Sequence, residues 1–127
     1  MRNALRVLMI TSEWPSAELP FQAPVVVRQV EFLRRCGVDV KVFPFRGSMR
    51  PGNYLKAWAS VQREVRRKRY DLIHAQWGQS ALPAINKPLP LVVTYRGSDL
   101  EGIVGGDGRY TTSGRILATL SRLVARL

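Results

Sequence analysis

The sequence predicts an α/β domain: an open, mostly parallel, doubly wound sheet of four strands with helices on both faces, a three-layer α/β/α arrangement. Three observations predict it. Short apolar runs alternate with amphipathic stretches along the whole chain, in the order β-α-β-α-β-α-β-α. The first run, Val7-Leu8-Met9-Ile10, is apolar without alternation, as in a parallel strand covered on both faces. Glycine, proline and asparagine fall between the runs, where one element must give way to the next.

The elements follow in order. Arg6–Thr11 is the first strand, and Ser12–Pro24, rich in proline and small residues, is a loop. Pro24 opens a helix at its first turn, where the missing N–H costs nothing. Val26, Val30 and Leu33 recur at helical spacing as far as Arg35, and Gly37 supplies the stop. Val38–Pro44 is the second strand, with Val38, Val40 and Val42 alternating against Asp39 and Lys41. Arg46–Gly52 is a turn-rich connection. Asn53 is the expected N-cap of a second helix, whose inner face is Leu55, Trp58, Val61 (or Gln62) and Val65. Arg63, Arg66, Arg67, Lys68 and Arg69 crowd its end, where positive charge suits the helix dipole. Asp71–Gln76 is the third strand, Gly78–Ile85 a short helix and Leu89–Tyr95 the fourth strand. A glycine-rich loop, Gly102–Gly108, leads to a last helix from near Ser113, with Ile116, Leu117, Leu120, Leu123, Val124 and Leu127 as its apolar positions.

A length of 127 residues suits one domain, residues 1–127, and 46% hydrophobic with 23% charged residues is a globular mixture, not a disordered one. The apolar runs are far too short to span a bilayer. Arg2 and Arg6 precede the first run, but Glu13 and Pro15 follow it closely, so it reads as a strand and not a signal peptide. The single cysteine, Cys36, excludes an internal disulfide, and no cysteine–histidine cluster suggests a metal site. A cytoplasmic location is the default expectation. The net charge of +11 is unusual; all but four of the 20 basic residues are arginine. Such a surface attracts phosphates, acidic lipid head groups or nucleic acid. Leu127 falls inside an apolar helical pattern with no cap and no following strand, so the domain is expected to be incomplete at its C-terminus.

Ligands of doubly wound sheets bind beyond the carboxyl ends of the strands, where strand order reverses. The loops to consider are Thr11–Pro24, Phe45–Gly52, Gln76–Ser80 and Arg96–Gly108. No G-x-G-x-x-G follows the first strand, and Gly105-Gly106-Asp107-Gly108 lacks the lysine of a P-loop. His74, the one histidine, is either a satisfied core residue or a group at a strand's active end. Trp77 is either a core lid or a stacking platform for a sugar. Arg63–Arg69 is either a solvated helix end or a patch for membrane or nucleic acid, without the interleaved aromatics of a single-strand platform. Two readings of Arg96-Gly97-Ser98-Asp99 stand side by side. In one, Asp99 caps a turn and pairs with Arg96. In the other, Gly97 admits a ligand to the backbone, Arg96 holds a phosphate or carboxylate, and Asp99 accepts from hydroxyls.

Four segments, RVLMITSEWP (Arg6–Pro15), PFQAPVVVRQ (Pro20–Gln29), DLIHAQWG (Asp71–Gly78) and VTYRGSDL (Val93–Leu100), match in order and spacing across nearly all of the chain. Together they resemble the N-terminal domain of family 4 glycosyltransferases. The resemblance implies a Rossmann-like domain, the truncated first half of a two-domain GT-B fold, and retaining transfer of a sugar from a nucleotide-sugar donor. The first half of such enzymes mainly binds the acceptor; the second binds the donor nucleotide. Carried over by position, Ala23 and Pro24 would face the donor's phosphates, with Gln29 nearby. His74, Trp77 and Gly78 would line the acceptor side. Arg96, Gly97 and Asp99, with Ser98 in the same turn, would form the cleft floor. Two departures stand out: the family often has glycine at Ala23, and often histidine at Arg96 and at Gln76. Arginine does not exchange a proton near neutral pH, so the role expected of Arg96 is electrostatic.

The function expected is therefore that of the acceptor-side domain of a hexosyltransferase-type enzyme of polysaccharide biosynthesis, inactive alone. Its partners would be a nucleotide-sugar, a glycan or lipid-linked acceptor and a donor-binding domain. It would need no metal or other cofactor and would touch the anionic inner face of a membrane peripherally. The alternatives are a non-catalytic Rossmann-like module binding a phosphorylated small molecule, and a basic nucleic-acid-binding protein, for which no motif accompanies the charge.

Overall fold

In the computed structural model, residues 3–48 and 50–126 are described, Ser98 and Leu100 by their backbone alone. The chain runs β1 (Arg6–Thr11), α1 (Pro24–Arg35), β2 (Asp39–Pro44), α2 (Pro51–Arg67), β3 (Leu72–Gln76), a 3₁₀ segment (Gly78–Ala84), β4 (Leu91–Thr94), α3 (Ser98–Glu101) and α4 (Thr112–Val124). The strands form one sheet in the order β2-β1-β3-β4. Every pairing is parallel, with Met9 opposite Val42 on one side and His74 on the other.

Side chains alternate across each strand, which sorts the layers. Leu8, Ile10 and Ile73 meet Val61 and Tyr70 on the α2 side, and Ala75 meets Ala81 and Val124 on the same side. Met9 and Val40 meet Val26 and Val30 of α1 on the opposite face. The chain steps from β1 to β2 in one direction with α1 on one face. It then crosses back to β3 with α2 on the other, as a constant crossover hand requires. The reversal lies between β1 and β3, so their carboxyl ends define the switch point.

Local chemistry explains most boundaries and several departures from the sequence reading. Gly37, at φ 87°, ends α1. Its N–H reaches Arg34 O and the N–H of Val38 reaches Leu33 O, the paired bonds of a Schellman stop. α2 starts at Pro51, two residues before the expected cap, because Pro51 is already set for a first turn. Asn53 therefore lies inside the helix and donates from Nδ2 to Gly47 O at 3.0 Å. Val61 is buried as expected, but Leu55 is 68% exposed and Ala57 is buried in its place. The expected helix Gly78–Ile85 is a 3₁₀ segment ending at Ala84, with Pro83 inside it. β4 is shorter than expected, its start held back by Pro88 and Pro90. α3 was not foreseen.

α4 is capped by Thr111, whose hydroxyl accepts from Gly114 N at 3.1 Å. Its buried side is the small-residue line Gly114, Ala118 and Ser121 with Val124, while Ile116 and Leu123 are exposed. Close approach decides this face. A Cβ at Gly78 would stand 2.3 Å from the Ser121 side chain, so the 3₁₀ segment and α4 touch almost backbone to backbone. Leu127, counted among the apolar positions, lies outside the described residues.

Candidate functional site

The period of two places His74 and Gln76 on the α1 face, beside Met9 and Thr11 of β1. Gln76 ends β3 at the switch point and is fully buried. A buried amide needs partners for both of its ends. Its Nε2 donates to Gln29 Oε1 of α1 at 2.6 Å and lies 3.7 Å from Met9 Sδ. Its Oε1 accepts from Arg96 Nη2 at 2.6 Å. That nitrogen also lies 3.4 Å from Gln29 Oε1. Side chains from β3, α1 and the loop after β4 thus close into one cluster. The Arg96 guanidinium stands 5.5 Å from the Trp77 ring centroid. Its Nε is shielded from solvent and meets no acceptor among the described residues.

Backbone geometry puts Arg96 there. Asp99 is 3% exposed, and its carboxylate accepts from Gly78 N and from Arg96 N, each at 2.9 Å. Gly97 sits at φ 103° with nothing within 4 Å of where a Cβ would be, so the turn needs its backbone freedom and not its small size. Trp77 has φ 69° and ψ 152°, a region nearly reserved for glycine, and its N–H is fixed to Thr94 O at 2.9 Å. A strained backbone is thus held in place while the ring packs under Arg96. Ala23 is also left-handed, at φ 51° and ψ 51°, just before the exposed Pro24.

The two readings of the Arg96–Asp99 turn divide by residue. The carboxylate of Asp99 accepts from two backbone N–H groups, and it caps the turn through Arg96's backbone and not its side chain. Gly78 is a packing glycine, pressed against Ser121. The side chain of Ser98 lies outside the described residues. Gln29, Trp77 and Arg96 come together with Gln76, which sequence reasoning had noted only as a departure. Its signal was available: a polar residue on the inward parity at the carboxyl end of β3. His74 lies two residues lower on the same face, with Nε2 2.7 Å from Thr94 Oγ1. Burial lowers its pKa below the ordinary 6.5, and the Arg96 charge lowers it further.

The basic run at the end of α2 leads into the amino end of β3, at the pole opposite this cluster. Arg66, Arg67, Lys68 and Arg69 are exposed there, as at a solvated helix end. Among the described residues, no group of three or more His, Cys, Asp or Glu side chains is placed to hold a metal ion, and no helix is long and apolar enough to cross a membrane.

A family model described as glycosyl transferase 4-like domain matches residues 2–127. Comparison with curated proteins and with solved structures finds no match.

The depressed pKa of His74 carries a pH consequence with a definite sign. The unfolded chain takes up this proton at a higher pH than the folded chain, so the contribution is complete above about pH 6.5 and is lost as pH falls below it. Urea unfolding on either side of that value will show a smaller loss of stability on acidification in His74→Asn than in the parent. Equal losses would place the proton elsewhere.

Proposed function

We propose that this chain, which belongs to the glycosyl transferase 4-like domain family, is the acceptor-side domain of a retaining, nucleotide-sugar-dependent hexosyltransferase. One observation carries the reading: Arg96 is fixed at the switch point by Gln76 and Gln29, with Nε buried and without an acceptor among the described residues. In the transfer, the bond from the sugar's anomeric carbon to the donor phosphate breaks and a bond to an acceptor hydroxyl oxygen forms. The nucleotide diphosphate leaves with the electron pair, and the hydroxyl's proton passes to the departing phosphate oxygen. Negative charge grows on the leaving group. A positive group held in advance, out of bulk water, stabilises that charge without reorganising.

Arg96 fits that task, because its guanidinium stays charged and Gln76 Oε1 restrains it. It neither gives nor takes a proton. Trp77 offers a ring face for a sugar beside it, and His74, neutral at physiological pH, supplies a polar group without a competing charge. Ala23 and Pro24 open α1, where backbone N–H groups suit a phosphate. The donor nucleotide is assigned to a second domain, so this chain alone would transfer no sugar. The reading needs no metal or bound cofactor. The net charge of +11 suits work at the cytoplasmic face of an anionic membrane on a glycan or lipid-linked intermediate of polysaccharide synthesis.

Arg96→Lys keeps the charge and loses the planar fork. In an active two-domain enzyme carrying this chain it will slow transfer by on the order of 10²-fold. Unchanged kinetics would remove Arg96 from the reaction. The membrane reading is separate. Co-sedimentation of the chain with phosphatidylserine-containing vesicles will rise with anionic lipid content and fall with added salt. Binding indifferent to both would refute it.

A further inference from the structure

Positive charge is concentrated at one pole of the domain, and the topology puts it there. The strands are all parallel, and the crossover helices α1 and α2 run back against them. The ends of α1 and α2 therefore gather at the amino edge of the sheet, with Leu5, Arg6 and the loop before β4. Bonds from Asp39 N to Leu5 O, Asp71 N to Arg6 O and Ile73 N to Pro90 O hold these segments together. Arg34, Arg35, Arg66, Arg67, Lys68 and Arg69 all lie at this pole. At the carboxyl edge the loops mix both signs, with Glu13, Glu18 and Asp107 among their arginines. The densest positive charge thus sits at the pole away from Arg96.

The helix dipole explains cations in a last turn, but Lys68 and Arg69 lie past the last turn of α2. Carboxylates do not explain them either. Asp39 pairs with Arg6 at 3.4 Å, Asp71 accepts from Arg6 N at 2.8 Å, and Glu64 pairs with Lys68 at 3.9 Å. Arg66, Arg67 and Arg69 are exposed and have no ion-pair partner among the described residues. Lys87 registers the crowding: burial lowers its pKa, and the Arg66 charge lowers it further. An open hollow of about 460 Å³ has Arg66, Arg69, Pro88 and Leu89 in its lining. Apolar side chains are exposed at the same pole, Leu5 at 47% and Phe32 at 60%. Unpaired arginines around a hollow suit phosphates, and exposed leucine and phenylalanine beside them suit an apolar phase. An anionic bilayer supplies both, as head groups over acyl chains. A nucleic-acid duplex supplies the phosphates without the apolar phase.

We propose that the amino pole of the sheet is the face by which this chain docks on an anionic bilayer, with head-group phosphates among Arg66, Arg67 and Arg69 and with Leu5 and Phe32 at the interface. The inference rests on the membrane reading above and adds an orientation to it. A strand of 6 residues, such as β1, is about 20 Å long, so the Arg96 cluster stands about that far from the head groups and faces away from them. On the transferase reading, the acceptor hydroxyl must then be carried out to the site on a chain and cannot lie in the membrane plane.

The test uses phosphatidylserine-containing vesicles and the one cysteine of the chain. Cys36 is exposed and follows the last turn of α1 at this pole. An environment-sensitive dye on Cys36 will shift to the blue when vesicles are added and will be quenched by a lipid-borne quencher. The same dye on Gly106→Cys in a Cys36→Ser background, in the loop beyond β4, will keep its aqueous spectrum. Changing Arg66, Arg67 and Arg69 together to glutamine will weaken vesicle binding on the order of 100-fold. The same loss of charge at Arg50, Lys56 and Arg109 will weaken it less than about tenfold, because these lie away from the bilayer. Equal losses in the two triple variants, or a dye that responds on Gly106→Cys and not on Cys36, would overturn the docking face and leave membrane binding intact. A parent chain that ignores the vesicles would sink both. If that chain instead binds an RNA duplex, and the Arg66, Arg67 and Arg69 variant does not, the pole belongs to nucleic acid.

Discussion

The carboxylate of Asp99 is the interaction on which the rest of the site depends. A buried charge is costly unless hydrogen bonds replace its water, and here two backbone N–H groups do so. One belongs to Gly78, just after β3, and the other to Arg96, just after β4. The carboxylate therefore ties the two crossover loops on the far side of the switch point. It does so beside β4, an edge strand of four residues that has little sheet of its own to hold it. The bond at Gly78 also fixes the start of the 3₁₀ segment, which must lie flat enough for Ser121 of α4 to press against it. The bond at Arg96 fixes the root of the side chain that reaches Gln76.

From that brace the polar layout of the sheet's carboxyl edge follows. On the α1 side, Gln76 and Gln29 hold a permanent positive charge next to a histidine that burial keeps neutral. On the α2 side, Glu13, Arg46, Tyr54 and Gln79 line an open hollow of about 340 Å³. Between the two lies the end of β1, where Ser12 N donates to Ser80 Oγ.

Much of the fold was legible because its signals are local. The unbroken run in β1, Pro24 at a helix start and Gly37 at a helix stop each act within a few residues, and the boundaries they mark were found almost unchanged. The inner face of α4 was read correctly at Val124 and misread at Ile116 and Leu123, because large apolar residues were taken as the buried ones. Its neighbour instead demanded closeness, so Gly114, Ala118 and Ser121 face inward and Ile116 and Leu123 do not. Asn53 looked like a cap because its side chain suits one, but Pro51 had already started the helix. In the site, Arg96 and Asp99 stood out by type and position. Gln76 did not, since a glutamine after an apolar strand reads as a surface residue. Its burial depends on Gln29 and Arg96, which are distant in sequence and arrive only through the fold.

Hydrogen exchange of two backbone amides tests the central claim most directly. If the Asp99 carboxylate welds the loops, the N–H groups of Gly78 and Arg96 will exchange as slowly as those of β3 and through the same opening of the structure. Exchange at the rate of an exposed loop residue such as Gly106 would show that the carboxylate does not hold them, and the fixed placement of Arg96 would go with it.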